Sequence, residues 1–398
     1  MTTSEAPLSR LARGLMPSPT LAVEATAQRM REAGIQVLSL GAGQPDFDTP
    51  EPIKEAAIAA IRRGATKYTA VGGTLELRRA IAAKLERDNG LAASPEDIVV
   101  SNGAKHSLYN ALAVCIDPGD EVLVPSPFWV SYPEMVRLAG GVPVQVRARE
   151  ADGFRIDGAG LEAAVTPRTR ALILNTPSNP TGAVLGRREL EGIAEVARRH
   201  DLLVITDEIY EKLVYDGARH VSFAAVAPDR RSSTIVVNGV SKAYAMTGWR
   251  IGYALAPHPI AQAMCDLQGQ STSNPCTISQ AAAVAALGLD DAVLAPMLAE
   301  YTRRRQRMIE RLARLPGLRL VPPAGAFYTF PNVEGLVQAR GLATADELAA
   351  RLLSDVHVAT VPGSGFGMEG YLRLSFATAT ETLTEALDRL LSFAGAPA

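Results

Sequence analysis

The feature that most constrains the fold is a repeated alternation of short apolar runs with helical stretches through the middle of the 398-residue chain. The apolar runs predict strands at residues 98–100, 121–125, 142–145, 171–175, 203–206, 233–237 and 252–256. Helices are predicted between several of them, at residues 107–116, 132–139, 190–200 and 259–268. Strands and helices that alternate in this way are typical of a doubly wound sheet. We therefore predict an α/β fold whose mainly parallel sheet is flanked by helices.

The pattern changes beyond Asp290. A long arginine-rich helix is predicted at residues 293–315, followed by short strands at 318–321, 326–330, 358–361 and 371–375 and by further helices. This mixture predicts a smaller α+β domain, which the N-terminal segment would complete. We predict an N-terminal arm and part of the small domain at residues 1–48, a large domain at 49–290 and the small C-terminal domain at 291–398. The RRRQR run at residues 303–307 is interpreted as a solvated helix face.

Composition excludes several classes of protein. The balance of 40 basic and 42 acidic residues argues against a nucleic-acid partner. Three cysteines without CxxC spacing argue against a disulfide framework and a zinc site, and they favour a reducing compartment. No apolar run is long enough to span a membrane, and the first 20 residues lack the apolar core of a signal peptide. We expect a cytoplasmic protein with no membrane partner and no metal.

Lysine is rare in this chain, so each lysine within a suggestive motif is informative. It occurs only at Lys54, Lys67, Lys84, Lys105, Lys212 and Lys242.

Five short polar segments lie next to predicted strands, at the sheet edge where open α/β folds bind ligands. They are SNGAK at residues 101–105, NTPSNPTG at 175–182, TDEIY at 206–210, NGVSK with TGWRIG at 238–252, and YLRLS at 371–375.

Each segment allows both a chemical and a purely structural interpretation. The glycine turn before a helix suits a phosphate, although many turns contain glycine. Asp207 follows an apolar strand, so its carboxylate is either paired or caps a helix. A desolvated Lys242 would be a nucleophilic amine. Arg373 could grip a carboxylate through two hydrogen bonds, or it could lie on the surface.

Taken in order, these segments resemble the fold-type I aminotransferases that use pyridoxal 5′-phosphate, specifically the aspartate aminotransferase group. The resemblance extends from PSPTLAV and GAGQPDFDTP through TKYTAVGG and SPFWVSYPEM to PAGAFYTF and VPGSGFG. It implies that residues 49–290 form the cofactor-binding domain. It also implies a homodimer with shared active sites, whose substrates are amino acids and 2-oxo acids.

The resemblance assigns catalytic roles to three residues. Lys242 would hold pyridoxal phosphate through an imine and then move a proton from the substrate. Asp207 would pair with the ring nitrogen, and Tyr210, with Asn179, would hydrogen-bond the phenolic oxygen. Trp129 would stack on the ring. The phosphate would be held by Gly103, Ala104, Lys105, Arg250 and Ser241, and by Tyr68 of the neighbouring subunit.

The same resemblance assigns the substrate contacts. Arg373 would bind the α-carboxylate, with Asn179, Trp129 and the backbone of Gly43 alongside. Lys105, with Ser18 and Thr20, would recognise a side-chain carboxylate and so favour L-aspartate or L-glutamate with 2-oxoglutarate or oxaloacetate. The reaction would follow a ping-pong mechanism.

Alternatives remain on the same scaffold. The chain could act on another amino acid or on prephenate, although Met16 stands where prephenate-using relatives carry a basic residue. His106 stands beside Lys105 where close relatives have glutamine. The chain could also be a carbon–sulfur β-lyase or a synthase, or a binding protein that has lost catalytic activity. GAGQPD is not a dinucleotide-binding GxGxxG turn, and no GxSxG serine-hydrolase turn is present.

Overall fold

The seven predicted strand segments of the central region form one sheet in the computed structural model, which describes residues 7–396. Residues 1–6 of the predicted N-terminal arm and 397–398 of the predicted small domain lie outside the described residues. The strands are β1 Leu38–Ser39, β2 Ile98–Asn102, β3 Glu121–Ser126, β4 Val142–Arg147, β5 Thr169–Asn175, β6 Leu203–Asp207, β7 Thr234–Gly239, β8 Ile251–Leu255, β9 Tyr328–Thr329, β10 Val358–Ala359, β11 Val361–Pro362 and β12 Leu372–Ser375.

The helices cover both faces of the large sheet and surround the smaller strands. They are α1 Arg10–Gly14, α2 Pro19–Glu32, α3 Glu51–Arg62, α4 Leu75–Asn89, α5 Ala104–Cys115, α6 Ser131–Leu138, α7 Gly158–Glu162, α8 Arg187–Arg199, α9 Phe223–Val226, α10 His258–Ser271, α11 Thr277–Leu287, α12 Ala295–Leu312, α13 Glu334–Ala339, α14 Ala345–Val356 and α15 Thr380–Ala394. Within residues 7–396, no helix is both long enough and apolar enough to cross a membrane.

The large sheet has the strand order β2-β8-β7-β6-β5-β3-β4. Every neighbouring pair is parallel except the two that involve β8, which runs antiparallel to β2 and to β7. The prediction of a mainly parallel α/β sheet is therefore confirmed. The reversal of β8 places its first residue, Ile251, opposite Asn102 at the end of β2. Arg250, which precedes β8, thus lies at the edge where the parallel strands end.

The inner strands of this sheet are largely apolar because both faces are covered, whereas the edge strand β4 is largely exposed. All residues of β6 and β8 are buried. On one face, α5, α6 and α10 pack on residues that include Val99 and Ile235. On the other, α4 and α11 pack on Val100 and α8 packs on Val204. Burial on both faces explains why the strands appear as continuous apolar runs in the sequence.

The C-terminal residues build a second core around two small sheets. β11, β12 and β9 form an antiparallel sheet, and β10 pairs in parallel with β1 of the N-terminal segment. Leu38 is opposite Val358 in that pair. The helices α12, α14 and α15 supply most of the apolar side chains of this core.

Three local predictions are wrong. Residues 318–321 do not form a strand; only Arg319 bridges to Asn332, and Pro322 and Pro323, which follow, have no amide to continue a ladder. The Ala-rich helix α11 was not predicted, because its sequence has no polar face. The RRRQR run is not a uniformly solvated face, since Arg304 and Arg305 are buried. Their guanidinium groups are paired with Asp46 and Asp216.

Candidate active site

A cleft of about 560 Å³ opens at the carboxyl edge of the large sheet, where β12 of the C-terminal unit approaches it. It gathers side chains from both terminal segments and from the carboxyl ends of several strands of the large sheet. With the exception of Gly103 and Tyr68, every residue that the sequence predicts for the site also lines this cleft. The predicted residues that line it are Ser18, Thr20, Gly43, Ala104, Lys105, Trp129, Asn179, Asp207, Tyr210, Ser241, Lys242, Arg250 and Arg373.

Lys242 lies just beyond the end of β7 and its amine is enclosed. Its Nζ donates a hydrogen bond to the carbonyl oxygen of Gly43 at 2.6 Å. Burial, followed by the charge of Arg373, lowers the pKa of Lys242 from 10.5 to about 8, and Asp207 partly opposes this. An amine with this pKa is neutral in an appreciable fraction of molecules near neutral pH, as a nucleophile requires.

Asp207 is the last residue of β6 and its carboxylate is buried. It accepts hydrogen bonds from the Tyr132 hydroxyl at 2.7 Å and from the Ile209 amide at 3.2 Å. Burial raises the pKa of Asp207 from 3.8 to about 6, while these two hydrogen bonds act in the opposite direction. The Ile209 contact lies within a turn, and no helix begins after Asp207, so the alternative interpretation of Asp207 as a helix cap is wrong. The carboxylate faces the cleft, where a cation would favour its ionised form.

Tyr132 is a contact that the sequence analysis missed. It lies in α6, three residues after Trp129, and the two rings pack edge to face. The SPFWVSYPEM segment was recognised, but the sequence alone did not show that its tyrosine reaches the end of β6. That contact depends on β3 and β6 flanking β5 in the sheet.

Glu208, the residue after Asp207, has a structural role. Glu208 accepts hydrogen bonds from the Ser222 hydroxyl at 2.9 Å and the Phe223 amide at 3.1 Å, and it is paired with His220. Glu208, Glu211 and His220 are close enough to share a metal ion. Lys84, however, contacts Glu211 and supplies a positive charge at that position.

Arg373 is buried, with only 1% of its surface exposed, and has no acidic partner among residues 7–396. Its guanidinium donates to Asn179 Oδ1 at 3.1 Å and to the Gly41 carbonyl at 2.6 Å. Its Nε has no hydrogen-bond partner in this part of the chain. The group lies 4.5 Å from the ring of Tyr328, whose hydroxyl is 3.0 Å from that of Tyr210. A buried guanidinium without a counter-charge is suited to bind a carboxylate that enters the cleft.

The turn between β2 and α5 brings backbone amides and a guanidinium to one place. Gly103 has φ +85°, and a Cβ at this position would lie 2.3 Å from Arg250 Nη2. Arg250 donates to the Asn102 and Thr247 carbonyls at 3.2 and 2.9 Å. Ala104 begins α5, so its amide and that of Lys105 lack partners within the helix, as at any helix start. This arrangement suits a phosphate group.

Lys105 lines the same cleft beside Trp129. Its Nζ lies 4.7 Å from the centre of the Trp129 ring. Burial, together with the charge of Arg250, lowers the pKa of Lys105. Ser18 and Thr20, at the start of α2, line the same cleft. His106 turns away, since its Nδ1 lies 3.3 Å from the Asn102 amide.

Two predicted site residues lie outside the cleft. Gly103 is covered by Arg250 and shapes the turn rather than the surface. Tyr68 precedes α4 and has 89% of its surface exposed. Its predicted role in the site of a neighbouring subunit stays a prediction.

Comparison with known proteins identifies close relatives. Residues 35–390 match the family of class I and II aminotransferases. Among curated proteins, the aspartate aminotransferase of Geobacillus stearothermophilus is 47% identical, over 97% of this chain and 98% of its own length. The aspartate/prephenate aminotransferase of Thermus thermophilus is 46% identical, over 98% and 99%. The solved aspartate aminotransferase of Rhizobium meliloti superposes with a TM-score of 0.94 at 44% identity, over 98% and 99% of the two chains. The Thermus thermophilus aspartate aminotransferase structure with maleate has a TM-score of 0.92 at 44% identity, over 97% and 99%.

Proposed function

The chain belongs to the class I and II aminotransferases, and on that premise we propose that it transfers the amino group of L-aspartate or L-glutamate to a 2-oxo acid, using pyridoxal 5′-phosphate held by Lys242. Transfer of an amino group is the activity of this family, so the chain is a transaminase. The dicarboxylic substrate, the cofactor and the role of each residue are our proposals.

The donor set of the cleft fits pyridoxal phosphate. The amides at the start of α5 and the guanidinium of Arg250 would hold the phosphate, with Ser241 nearby. Asp207 offers a buried carboxylate to the ring nitrogen, held in place by Tyr132. Bound there, the cofactor would supply an electron-withdrawing ring that stabilises the negative charge left at the amino acid's α-carbon.

The observation that carries the substrate proposal is a pair of cations without acidic partners among residues 7–396. Arg373 lies deep in the cleft and Lys105 lies near Trp129. An α-carboxylate on Arg373 would leave a second carboxylate to be neutralised by Lys105, with Ser18 and Thr20 as further donors. A neutral side chain would leave the Lys105 charge uncompensated and partly buried. The pair therefore favours dicarboxylic substrates.

The other residues place the substrate and the proton. Arg373, oriented by Asn179 and the Gly41 carbonyl, would fix the α-carboxylate and hence the face of the α-carbon turned toward Lys242. Lys242 Nζ, with its lowered pKa, would accept the proton of the substrate's α-carbon and donate it to the cofactor rather than back to the substrate. The Gly43 carbonyl would hold that amine in place. The Tyr210 hydroxyl would donate a hydrogen bond to the cofactor's phenolic oxygen.

A donor screen tests the substrate proposal. The purified protein with pyridoxal phosphate would be assayed with 2-oxoglutarate and aspartate, alanine, phenylalanine or arginine, and glutamate would be assayed with oxaloacetate. We expect aspartate and glutamate to give the highest kcat/KM. Strong activity with a neutral or cationic donor and none with aspartate or glutamate would show that the role given to Lys105 is wrong. Prephenate is included as an acceptor because several relatives are named aspartate/prephenate aminotransferases.

Lys242→Ala tests the catalytic proposal. We expect the amino-transfer rate to fall by about 10²–10⁴-fold or more, because the variant loses the amine proposed both to hold the cofactor and to move the proton. Lys54→Ala, which removes a half-buried lysine paired with Glu51 outside the cleft, is the matched control and should retain full activity. Turnover by Lys242→Ala at the wild-type rate would disprove the role of this lysine.

We also propose a homodimer in which Tyr68 completes the partner's phosphate site. The exposure of Tyr68 supports this proposal. We further propose that residues 49–290 form the large domain and residues 291–398 form the small C-terminal domain. A cytoplasmic location is proposed because Cys115, Cys265 and Cys276 carry free thiols.

A further inference from the structure

The loop at residues 41–48 touches both cations at the centre of the cleft. The Gly43 carbonyl accepts a hydrogen bond from Lys242, and the Gly41 carbonyl accepts one from Arg373, each at 2.6 Å. These acceptors belong to the backbone, so their positions depend on the path of the loop. Whatever fixes the loop therefore also fixes the two cations.

Arg304, a buried residue of the C-terminal unit, binds this loop. Arg304 in α12 donates from one nitrogen to both carboxylate oxygens of Asp46, at 2.8 and 2.9 Å, and only 7% of the Arg304 side chain is exposed. Its guanidinium also lies 5.0 Å from the ring of Phe47, the next residue of the loop. The Phe47 ring packs edge to face on Tyr301, one turn earlier in α12.

Arg304 is itself held from the side away from the cleft. Its Nε donates to Glu300 at 2.9 Å, and Glu300 accepts a further hydrogen bond from Thr380 at the start of α15. The far end of the loop is tied to the segment after Lys242, because the Thr49 hydroxyl donates to the Ala245 carbonyl at 2.8 Å. The loop thus spans the large sheet and the C-terminal unit, and Arg304 is its charged anchor to the latter.

We propose that Arg304 is a positioning residue for amino transfer, which acts through Asp46 and the 41–48 loop to hold the Gly43 and Gly41 carbonyls on Lys242 and Arg373. The proposal rests on the proposed function, since it assigns Arg304 to the same site. Arg304 does not line the cleft and touches no reacting group.

Four single variants and one double variant test it. Arg304→Met removes the charge and keeps most of the aliphatic part of the side chain, Arg304→Lys keeps the charge, and Asp46→Asn weakens the loop's end of the pair. Arg303→Met is the matched control, because Arg303 is the neighbouring residue, contacts the same Glu300 and makes no contact with Asp46.

The first readout is the affinity of the holoenzyme for maleate, a dicarboxylate that cannot be transaminated, measured by titration calorimetry. We expect Arg304→Met to weaken binding about tenfold, because Arg373 loses its fixed position. Arg304→Lys and Asp46→Asn should show smaller losses, and Arg303→Met should bind as the wild type does. The double variant Arg304→Met/Asp46→Asn should bind no more weakly than Arg304→Met, since both changes break one contact.

The second readout is the pH midpoint of the rate at which visible absorption develops when pyridoxal phosphate is added to the cofactor-free protein, which reports the protonation of the free Lys242 amine that contacts Gly43. Withdrawal of the Gly43 carbonyl should lower the midpoint by about one pH unit in Arg304→Met and leave it unchanged in Arg303→Met. Thermal unfolding of all variants is recorded alongside.

The outcomes separate the two proposals. If Arg304→Met unfolds at a lower temperature but retains the wild-type maleate affinity and midpoint, Arg304 is merely structural and the inference is wrong. If the wild-type protein itself does not bind maleate, the dicarboxylic substrate is wrong, and the absorption midpoint decides the role of Arg304. If no visible cofactor absorption forms, the cofactor proposal is wrong, and the maleate affinity of the cofactor-free protein decides the role of Arg304. Should Arg304→Met fail to fold, Arg304→Lys and Asp46→Asn give the same comparison.

Discussion

At the scale of single residues, the lysines divide according to their partners. Lys54, Lys84 and Lys212 each form an ion pair with an acidic side chain. Lys105 and Lys242 have no such partner among residues 7–396, and both line the cleft. The protein therefore neutralises Lys54, Lys84 and Lys212 itself and leaves the charges of Lys105 and Lys242 available to a ligand. Lys67 forms no ion pair with the described residues, but it does not line the cleft. Rarity drew attention to the lysines, but only the structure separates these two groups.

The charge of Lys105 should set the preference for dicarboxylic substrates. Lys105→Met removes the ammonium and keeps most of the stem that packs on Trp129. We expect kcat/KM for aspartate to fall tenfold to a hundredfold, corresponding to about 1.5–3 kcal/mol, while kcat/KM for alanine changes little. Steady-state kinetics with both donors measure this. An equal loss of kcat/KM for both donors would mean that Lys105 does not bind the side-chain carboxylate.

The buried amine of Lys242 should make the stability of the cofactor-free protein depend on pH. Its folded pKa of about 8 lies below the ordinary 10.5, so the unfolded chain binds more protons between these values. Stability should therefore rise by up to about 3 kcal/mol as the pH increases from 8 to 10.5. Lys242→Met should abolish this rise and be more stable than the wild type at pH 7. Urea unfolding at pH 7, 8, 9 and 10 measures both effects.

Asp207 should show the opposite dependence in the acidic range. The folded pKa of Asp207, about 6, lies above the ordinary 3.8. Its contribution to the free energy of unfolding is therefore fully present below pH 3.8 and is lost as the pH rises through 6. Between pH 6 and 8 both buried charges are unfavourable in the cofactor-free chain. The same unfolding series extended to pH 4, with Asp207→Asn as the comparison, checks this. A pH-independent difference between the two proteins would contradict it.

At the scale of elements, the turn between β2 and α5 depends on a glycine for two separate reasons. Gly103 needs a positive φ, and it must leave space for the Arg250 guanidinium. Gly90, which ends α4, has φ +66° but nothing within 4 Å of an added Cβ. Substituting each glycine in turn therefore separates the effect of backbone strain from the effect of lost space for the Arg250 guanidinium.

Gly103→Ala should weaken cofactor binding, whereas Gly90→Ala should not. Gly90→Ala carries a backbone cost of about 1–2 kcal/mol at its left-handed position, and Gly103→Ala carries about 1–3 kcal/mol at φ 85° and ψ 159°. Only Gly103→Ala also displaces Arg250 from the phosphate site, so we expect at least about a tenfold weaker affinity for pyridoxal phosphate in that variant. Fluorescence titration of the apoprotein gives the affinity, and urea unfolding gives the backbone cost of each substitution. Equal affinities in the two variants would refute the phosphate role of this turn.

Most of the large sheet could be predicted from the sequence because its inner strands are buried on both faces and therefore largely apolar. The site could be predicted only where a known family pattern assigned a role. The environment of Arg373 could not, because its partners Asn179 and Gly41 are 194 and 332 residues away in the chain. Arg304 was misinterpreted for the same reason, since its partner Asp46 is 258 residues away. Periodicity reports exposure within one helix and carries no information on such partners.

At the scale of the whole molecule, one chain builds the cleft but leaves a conspicuous exposed tyrosine. Tyr68 has 89% of its surface exposed. Exposed apolar side chains are also present on the N-terminal arm, at Leu11, Leu15 and Met16. Large exposed apolar groups of this kind are typical of a surface that a second chain covers.

A mixing experiment tests whether the sites are shared. Lys242→Ala and Tyr68→Ala are each expected to have little activity alone. In a hybrid dimer one site would carry both defects and the other neither, so random reassociation should restore about a quarter of the wild-type activity. Activity is measured after the two variants are unfolded together and refolded. No recovery, in a mixture shown to contain hybrid dimers, would mean that each site is built by one chain.

The contact between Gly41 and Arg373 also bears on how the protein is made. The N-terminal residues leave the ribosome first, and domains fold as they emerge. Lys242 and the whole large sheet are therefore synthesised while Arg373 is not yet part of the chain. A nascent or prematurely terminated chain lacks the group that grips a substrate carboxylate. Such a fragment should consume no amino acid, so amino transfer is reserved for the finished protein.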